Sequence, residues 1–363
     1  MRTFRVRFSL VSSLGTPFLA DTLFGHICWA IRYLEGETAL TSFLQGYCNG
    51  RTPLLVSDGM PVIGDHFYVP RPLFPVGPSQ LRELSDRLGL DPKNRTDQRL
   101  LASACKAVEE KRWVEYRSLI DIAAPLNAVR LLEKCLILQL CPGSMAERDA
   151  SQCSCTDWRQ CPALDTGYPG TVSCSYSYPE SVLLPTMHNV INRVRTASVN
   201  LYMRKDVVPF YDIYFLASID EELFSADRLS ACLDYLERVG YGRDKSCGCG
   251  AIKNTIVEEW SPQQTQNVNG FLNLSSAYVP EAQKLPPGFY QIHVKRGKLG
   301  EEYAISYSPW KRPVLMIRAG SVFRADPHVP HGMLVRNVHY QLPDVVQYGY
   351  AYPLGVELDE KAV

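Results

Sequence analysis

The chain has no excess of either charge: 38 basic side chains meet 38 acidic ones, and the formal net charge is zero. Proteins that bind nucleic acid unaided are usually basic overall. A nucleic-acid contact on this chain must therefore concentrate its positive charge in one place, which leaves the remaining surface free for other partners. Long apolar runs are missing too. Cys135–Leu140 is far too short to span a membrane. Met1 to Phe8 alternate basic and apolar side chains, a strand pattern rather than the continuous apolar core of a signal peptide. With both signals absent, the expectation is a cytoplasmic protein without membrane contact. Acids are absent from residues 181–205, 25 residues bracketed by Glu180 and Asp206 that hold His188, Arg193, Arg195, Arg204 and Lys205. A run of one sign is ordinarily a solvated face. Within an alternating pattern and beside a glycine loop, it is better explained by an RNA backbone.

That loop is Gly240-Tyr241-Gly242-Arg243-Asp244-Lys245-Ser246-Cys247-Gly248-Cys249-Gly250, with four glycines in two Gly-x-Gly pairs. Such a loop can take positive φ angles and expose backbone N–H groups to an anion. Before it, Leu229, Cys232, Leu233, Leu236 and Val239 recur at helical spacing, with Ser225 as N-cap and Gly240 as the closing glycine. After it, Ala251–Val257 reads as a strand. P-loop and Rossmann motifs run in the opposite order, strand to loop to helix, and the Gly-x-x-x-x-Gly-Lys-Ser/Thr spacing is absent. The arrangement suits a phosphodiester chain lying across the loop more than a nucleoside triphosphate. The glycines alone are equally met by a helix cap and a tight turn.

The loop resembles the C-terminal glycine-rich loop of RAMP-superfamily proteins, the ferredoxin-like RNA binders of CRISPR effector complexes. Three more stretches narrow the resemblance: Ala20-Asp21-Thr22-Leu23-Phe24-Gly25-His26, His188-Asn189-Val190-Ile191-Asn192-Arg193 and Arg318-Ala319-Gly320-Ser321-Val322-Phe323. In this order they look like the fourth-subunit family of the type III-A (Csm) complex. The resemblance spans most of the chain and fails between about residues 141 and 180. It implies a non-catalytic subunit that holds the 5′ repeat-derived tag of a guide RNA (crRNA). Its partners would be the large polymerase-like subunit and a RAMP backbone subunit, with target RNA contacted indirectly. The implied RNA-binding residues are Gly240, Gly242, Arg243, Lys245, Ser246, Gly248 and Gly250 of the loop, with Phe24, Gly25 and His26. His188, Asn192, Arg193 and Arg195 join them from the acid-free stretch, and Arg318, Gly320 and Ser321 from a turn that would approach the loop.

Taken in order, residues 3–10 form a strand with Phe4, Val6 and Phe8 on one face, and Thr16-Pro17 opens a helix by a cap and a first-turn proline. Its stripe is Phe24, Ile27, Cys28, Ile31 and Leu34. Gly36 interrupts it before a second short helix, Glu37–Leu44. With later strands and the helix before the loop, this suggests a βαββαβ ferredoxin-like unit over 1–258. That unit carries a helical insertion (about 75–140), a Cys-rich lobe (about 141–180) and a basic thumb hairpin (about 187–205). Residues 259–269 read as a polar linker, and 270–363 as a strand-rich second domain, either ferredoxin-like or a degenerate sheet. The fold class is α+β: two ferredoxin-like (RRM-like) RAMP domains with a helical region and a Cys-rich insertion.

Several residues carry competing readings. His26 is either a structural histidine or, as in RAMP endoribonucleases that cut precursor guide RNA, a general base, with His188, Tyr241 and Lys245 as recruits. Asp21 is a helix cap in preference to a metal ligand. His188, Asn192 and Arg193 offer base and phosphate contacts, or the polar outer face of a hairpin. The twelve cysteines are no secreted disulfide scaffold, since the chain is long and lacks an export signal. Cys28, Cys105, Cys135 and Cys232 sit in apolar helical patterns as core thiols. Cys153, Cys155, Cys161 and Cys174, with Cys141 in reserve, would hold a structural zinc in a lobe that has little else to stabilise it. A thiol-rich loop, adventitious disulfides, or a zinc-stabilised scaffold without RNA contact are the alternatives. No cofactor for activity is expected.

Overall fold

The computed structural model describes residues 1–122, 125–140, 178–192, 194, 197–262, 267–278, 285–306 and 308–360. The Cys-rich lobe with its zinc ligands, and Arg193 and Arg195, lie outside the described residues.

The first unit runs β1 (Arg2–Leu10), α1 (Ala20–Glu35), α2 (Glu37–Cys48), β2 (Leu54–Val56), β3 (Met60–Ile63) and β4 (His66–Pro70). It continues with α3 (Pro78–Arg87), α4 (Arg95–Glu110), β5 (Trp113–Glu115), α5 (Tyr116–Ile120), α6 (Ala128–Leu140), β6 (Ser181–Asn192), β7 (Ala197–Pro209), β8 (Asp212–Ile219), α7 (Ala226–Val239) and β9 (Ile252–Glu259). The second unit carries β10 (Gly270–Asn273), β11 (Ala277–Tyr278), β12 (Gly288–Phe289), β13 (Ile292–Lys295), β14 (Val314–Ile317), β15 (Val322–Phe323), β16 (Gly332–Val335), β17 (Gln347–Tyr350) and β18 (Pro353–Val356).

The main sheet is antiparallel, in the order β5-β4-β3-β8-β1-β9, with β2 also on β8. Strand alternation decides its faces. Phe4, Val6 and Phe8 are buried beneath the helices, while Arg5 and Arg7 point away and pair with Glu258 and Asp212. Leu23, Ile27 and Ile31 of α1 and Leu229, Cys232, Leu233 and Leu236 of α7 cover the buried face. Helices α3, α4 and α6 build a satellite core of their own around Leu84, Leu101, Val108 and Leu136. Two strands escape the sequence patterns. β3 contains Pro61, and β5 is only Trp113-Val114-Glu115, so neither offers a full alternating run; pairing with β8 and β4 fixes them.

Hairpin β6–β7 pairs from Ser181↔Pro209 to Asn192↔Ala197, longer at its base than the 187–205 expected. The second unit forms three small sheets, and its one helical turn among the described residues is Glu301–Ile305. Its strands enclose two small clusters of their own, around Phe271, Ile317 and Phe323 and around Val314, Met316 and Val338, but its largest core is joined to that of the first unit. Leu272, Leu274, Tyr348, Tyr350 and Tyr352 share the core of the first unit, and the Tyr348 hydroxyl accepts the Val56 N–H at 3.0 Å. Asp21, 3% exposed in its side chain, completes this junction: it accepts from Lys295 at 3.0 Å and from Gln347 at 2.6 Å.

Candidate nucleic-acid interface

Helix α7 begins where the sequence places it: the Ser225 hydroxyl accepts the Arg228 N–H at 3.2 Å. It ends at Gly240, with φ 82°. From there the loop doubles back on itself. The Tyr241 N–H donates to the Gly250 carbonyl at 2.8 Å, and the Gly250 N–H to the Ser13 carbonyl at 2.8 Å. Gly250 has φ +66°, and a Cβ there would lie 1.9 Å from the Tyr241 carbonyl oxygen, so this closure admits glycine alone. Gly248, at φ +88°, faces open space.

Residues 12–17, which sequence reasoning left unassigned or read as a cap, are the loop's other wall. Thr16 caps no helix: α1 starts at Ala20, and Thr16 Oγ1 instead accepts the Arg243 N–H at 3.1 Å. The Tyr241 hydroxyl accepts from Leu19 N–H and donates to the Pro17 carbonyl, and its ring lies 4.0 Å from that of Phe18. The cap expected of Asp21 is supplied from afar, because Asp58 accepts the Ala20 N–H at 2.8 Å. Burial raises the Asp58 carboxyl to about 6.

His26 stands behind the loop and accepts the Gly242 N–H at Nε2 across 2.9 Å. Burial, assisted by the Lys245 ammonium, pushes its imidazole down to about 3, so it is neutral at physiological pH. Most loop N–H groups are thus already engaged within the protein, those of Gly240, Tyr241, Gly242, Arg243, Cys247, Gly248, Cys249 and Gly250. Asp244, Lys245 and Ser246 supply the N–H groups outside that network.

The cations are organised by a residue that seemed only a boundary. Asp206, 1% exposed in its side chain, accepts from Arg204 at 2.7 Å and lies 3.5 Å from Arg243. Arg243 also donates to the Lys205 carbonyl and remains half exposed. The Leu14–Val207 bridge completes the seam, so the base of hairpin β6–β7 is docked on the glycine loop. Lys245, expected to be free for phosphate, pairs with Glu301 of the second unit. The signal for Asp206 was present as the acid closing the basic window. Glu301 gave none, because only folding brings it near.

The remaining expected residues divide. Gly25 lies on α1 with open space beside it. Phe24 is in the core, 2% exposed and stacked on Tyr348 at 4.7 Å, because its helix face is the buried one; it offers RNA no surface. His188 sits opposite Tyr202 on the hairpin, rings stacked at 5.4 Å. Asn192 is the last residue of β6. The Arg318–Ser321 turn does exist, with Gly320 at φ +97°, but its bonds run to Gln291, Asn273 and Leu73, not to the glycine loop. Its packing is against Arg71, where a Gly320 Cβ would come within 2.8 Å of the carbonyl.

No protein-family model matches the sequence, and no curated protein does. Solved structures do. A chain of the Csm3–Csm4 subcomplex in the type III-A CRISPR-Cas interference complex aligns with a TM-score of 0.56 and 12% identity, over 99% of this chain and 100% of that one. A chain of the Csm1–Csm4 cassette in complex with cA4 gives 0.53 and 16%, and the cassette with AMPPNP 0.52 and 17%, with the same coverage. The protein has the α+β fold of these type III-A effector chains. At such identities the likeness lies in the backbone, and it agrees with the resemblance carried by the four motifs. No described helix is long and apolar enough to cross a membrane.

Proposed function

We propose that the chain is a non-catalytic RNA-binding subunit of a type III-A CRISPR effector, holding the 5′ repeat-derived tag of the guide RNA. One observation carries the reading: glycine loop, hairpin base and first helix meet in a single seam, with Arg243 half exposed and Gly248 open at its surface. Phosphates would contact Arg243 and the N–H groups of Asp244 to Ser246, and splayed bases would be read along the hairpin. The matched chains come from Csm1–Csm4 and Csm3–Csm4 assemblies. That supports two protein partners of the same kinds, a large polymerase-like subunit and a RAMP backbone subunit, with this chain between them. The first unit supports a ferredoxin-like reading, since its strands lie in the order β9-β1-β8-β3 with α1 and α7 as crossovers. The second unit, strands with one short helical turn among its described residues, fits the degenerate-sheet alternative better.

The endoribonuclease alternative needs a free base near the phosphate. His26 spends Nε2 on Gly242, and Lys245 is held by Glu301, which favours positioning over cleavage. A structural zinc on Cys153, Cys155, Cys161 and Cys174 remains part of the proposal.

The test is purification of the protein from its native cell with identification of the RNA and proteins that accompany it. Alongside, Arg243→Ala with Lys245→Ala is expected to weaken tag-RNA binding and to flatten its dependence on salt, by about 0.7 in log–log slope per lost phosphate contact. Unchanged affinity in a folded double variant would remove the loop from the site.

A further inference from the structure

The second unit, residues 270–363, holds ten cations and eight acids, but most of its positive charge is gathered in one stretch. Between residues 282 and 325 stand eight cations, Lys284, Lys295, Arg296, Lys298, Lys311, Arg312, Arg318 and Arg324, against two acids, Glu301 and Glu302. Both acids turn toward the first unit: Glu301 holds Lys245, and Glu302 meets Arg32 at 2.9 Å and Tyr33 at 3.1 Å. Lys295 is consumed by Asp21, and Lys311 donates inward to Val346 and Gln347. Arg296, Lys298, Arg312 and Arg318 are exposed and have no ion-pair partner among the described residues.

Three of these cations frame exposed aromatic rings. Trp310, 47% exposed, has the Arg296 guanidinium 5.7 Å and the Lys298 ammonium 5.9 Å from its centroid. Tyr340, 75% exposed, lies under the Arg312 guanidinium at 4.2 Å. The backbone makes this a fixed platform. Lys298 bridges Trp310, the Leu299 N–H donates to the Pro309 carbonyl, the Lys311 N–H to Gly297 and the Arg312 N–H to Val338. Extended alternation sends Lys311 inward and leaves Trp310 and Arg312 on the outside.

We propose that this face is a stacking platform for single-stranded RNA, separate from the glycine loop. Rings that present a π face beside unneutralised guanidinium groups bind unpaired bases and their phosphates, without sequence preference. A double helix hides its base faces and gains only the charge. Aromatic and arginine side chains also mark protein interfaces. Among the described residues no carboxylate pairs with Arg296, Lys298 or Arg312, which on a chain of zero net charge favours a polyanion. The platform is joined along the chain through Gly300 to Glu301, which holds Lys245 of the loop. The ligand class rests on the RNA-binding reading above; the location does not.

The experiment titrates the full chain with fluorescein-labelled mixed-sequence single-stranded RNA and with a duplex of equal length. Trp310→Ala with Tyr340→Ala is expected to weaken single-strand binding about tenfold or more while leaving duplex binding unchanged. RNA should quench tryptophan fluorescence in the wild type, and Trp310→Phe should remove that quench. Arg296→Ala with Arg312→Ala should lower the salt slope by about 1.4. Thermal melts establish that each variant is folded. Wild-type affinity in the ring variant, with the quench intact in Trp310→Phe, overturns the platform while leaving the loop reading in place, provided Arg243→Ala with Lys245→Ala still loses affinity. No RNA binding by the wild type overturns both. A ring variant that binds RNA normally but no longer joins the large polymerase-like subunit makes this face a protein interface and also overturns the inference.

Discussion

His26 accepts the Gly242 N–H through Nε2, so its tautomer carries the proton on Nδ1 and its one lone pair belongs to the glycine loop. Protonation would turn that acceptor into a donor. Between about pH 3, its folded value, and its ordinary 6.5, the unfolded chain binds a proton that the folded chain refuses. The residue therefore adds stability above pH 6.5 and withdraws it as pH falls. Urea unfolding is expected to give lower stability at pH 5 than at pH 7.5, with a smaller difference in His26→Gln, whose amide oxygen can still accept. Asp58 acts in the opposite sense, its contribution declining as pH rises from about 4 to about 6. Comparison of wild type with His26→Gln isolates the histidine; identical pH profiles would refute its role. Neither protein should cleave precursor guide RNA, and His26-dependent cleavage would reinstate the endoribonuclease reading.

The two loop glycines separate fold from function. Gly250→Ala drives a methyl group into the Tyr241 carbonyl and is expected to cost more than about 3 kcal/mol of stability. Gly248→Ala meets only the left-handed φ, a cost of about 1 kcal/mol, because nothing stands beside it. Tag RNA lying on the loop would meet the new methyl, so Gly248→Ala should lose affinity out of proportion to its small shift in melting temperature. Full affinity would place the RNA elsewhere.

Asp21 is the junction of the two units. Asp21→Ala strands the Lys295 ammonium and the Gln347 amide, for an expected loss of about 3 kcal/mol. Differential unfolding should show one transition moving as a whole, because the units share a core. A selective loss of the second unit would contradict that continuity.

For the cysteine lobe, protein purified without added zinc is expected to hold about one equivalent of zinc per chain. Cys153→Ser with Cys161→Ser should release it. Guide-RNA binding should largely survive, because the four motifs of the resemblance lie outside the lobe. Metal-free protein with wild-type stability removes the site.

The sequence by itself determined whatever depends on neighbours along the chain. Ser225 and Gly240 delimit α7 because a hydroxyl satisfies a free N–H and a glycine accepts φ 82°. Alternation wrote β1 into the sequence, and the acid-free window announced hairpin β6–β7. Only the tertiary structure decided what those elements serve. Asp21 and Thr16 fit helix-capping patterns, yet Asp58 caps α1 from 38 residues away, freeing Thr16 for Arg243 and Asp21 for Lys295. Lys245 and Arg243 look equivalent in the loop, yet Glu301 claims one while Asp206 merely braces the other. Phe24 shares a motif with His26, yet two residues along a helix turn the side chain by half a circle, from the glycine loop to the core. Local hydrogen bonds and periodicity are encoded within a few residues. The partner that neutralises a charge or covers a ring is chosen by the packing of distant segments, which no local pattern records.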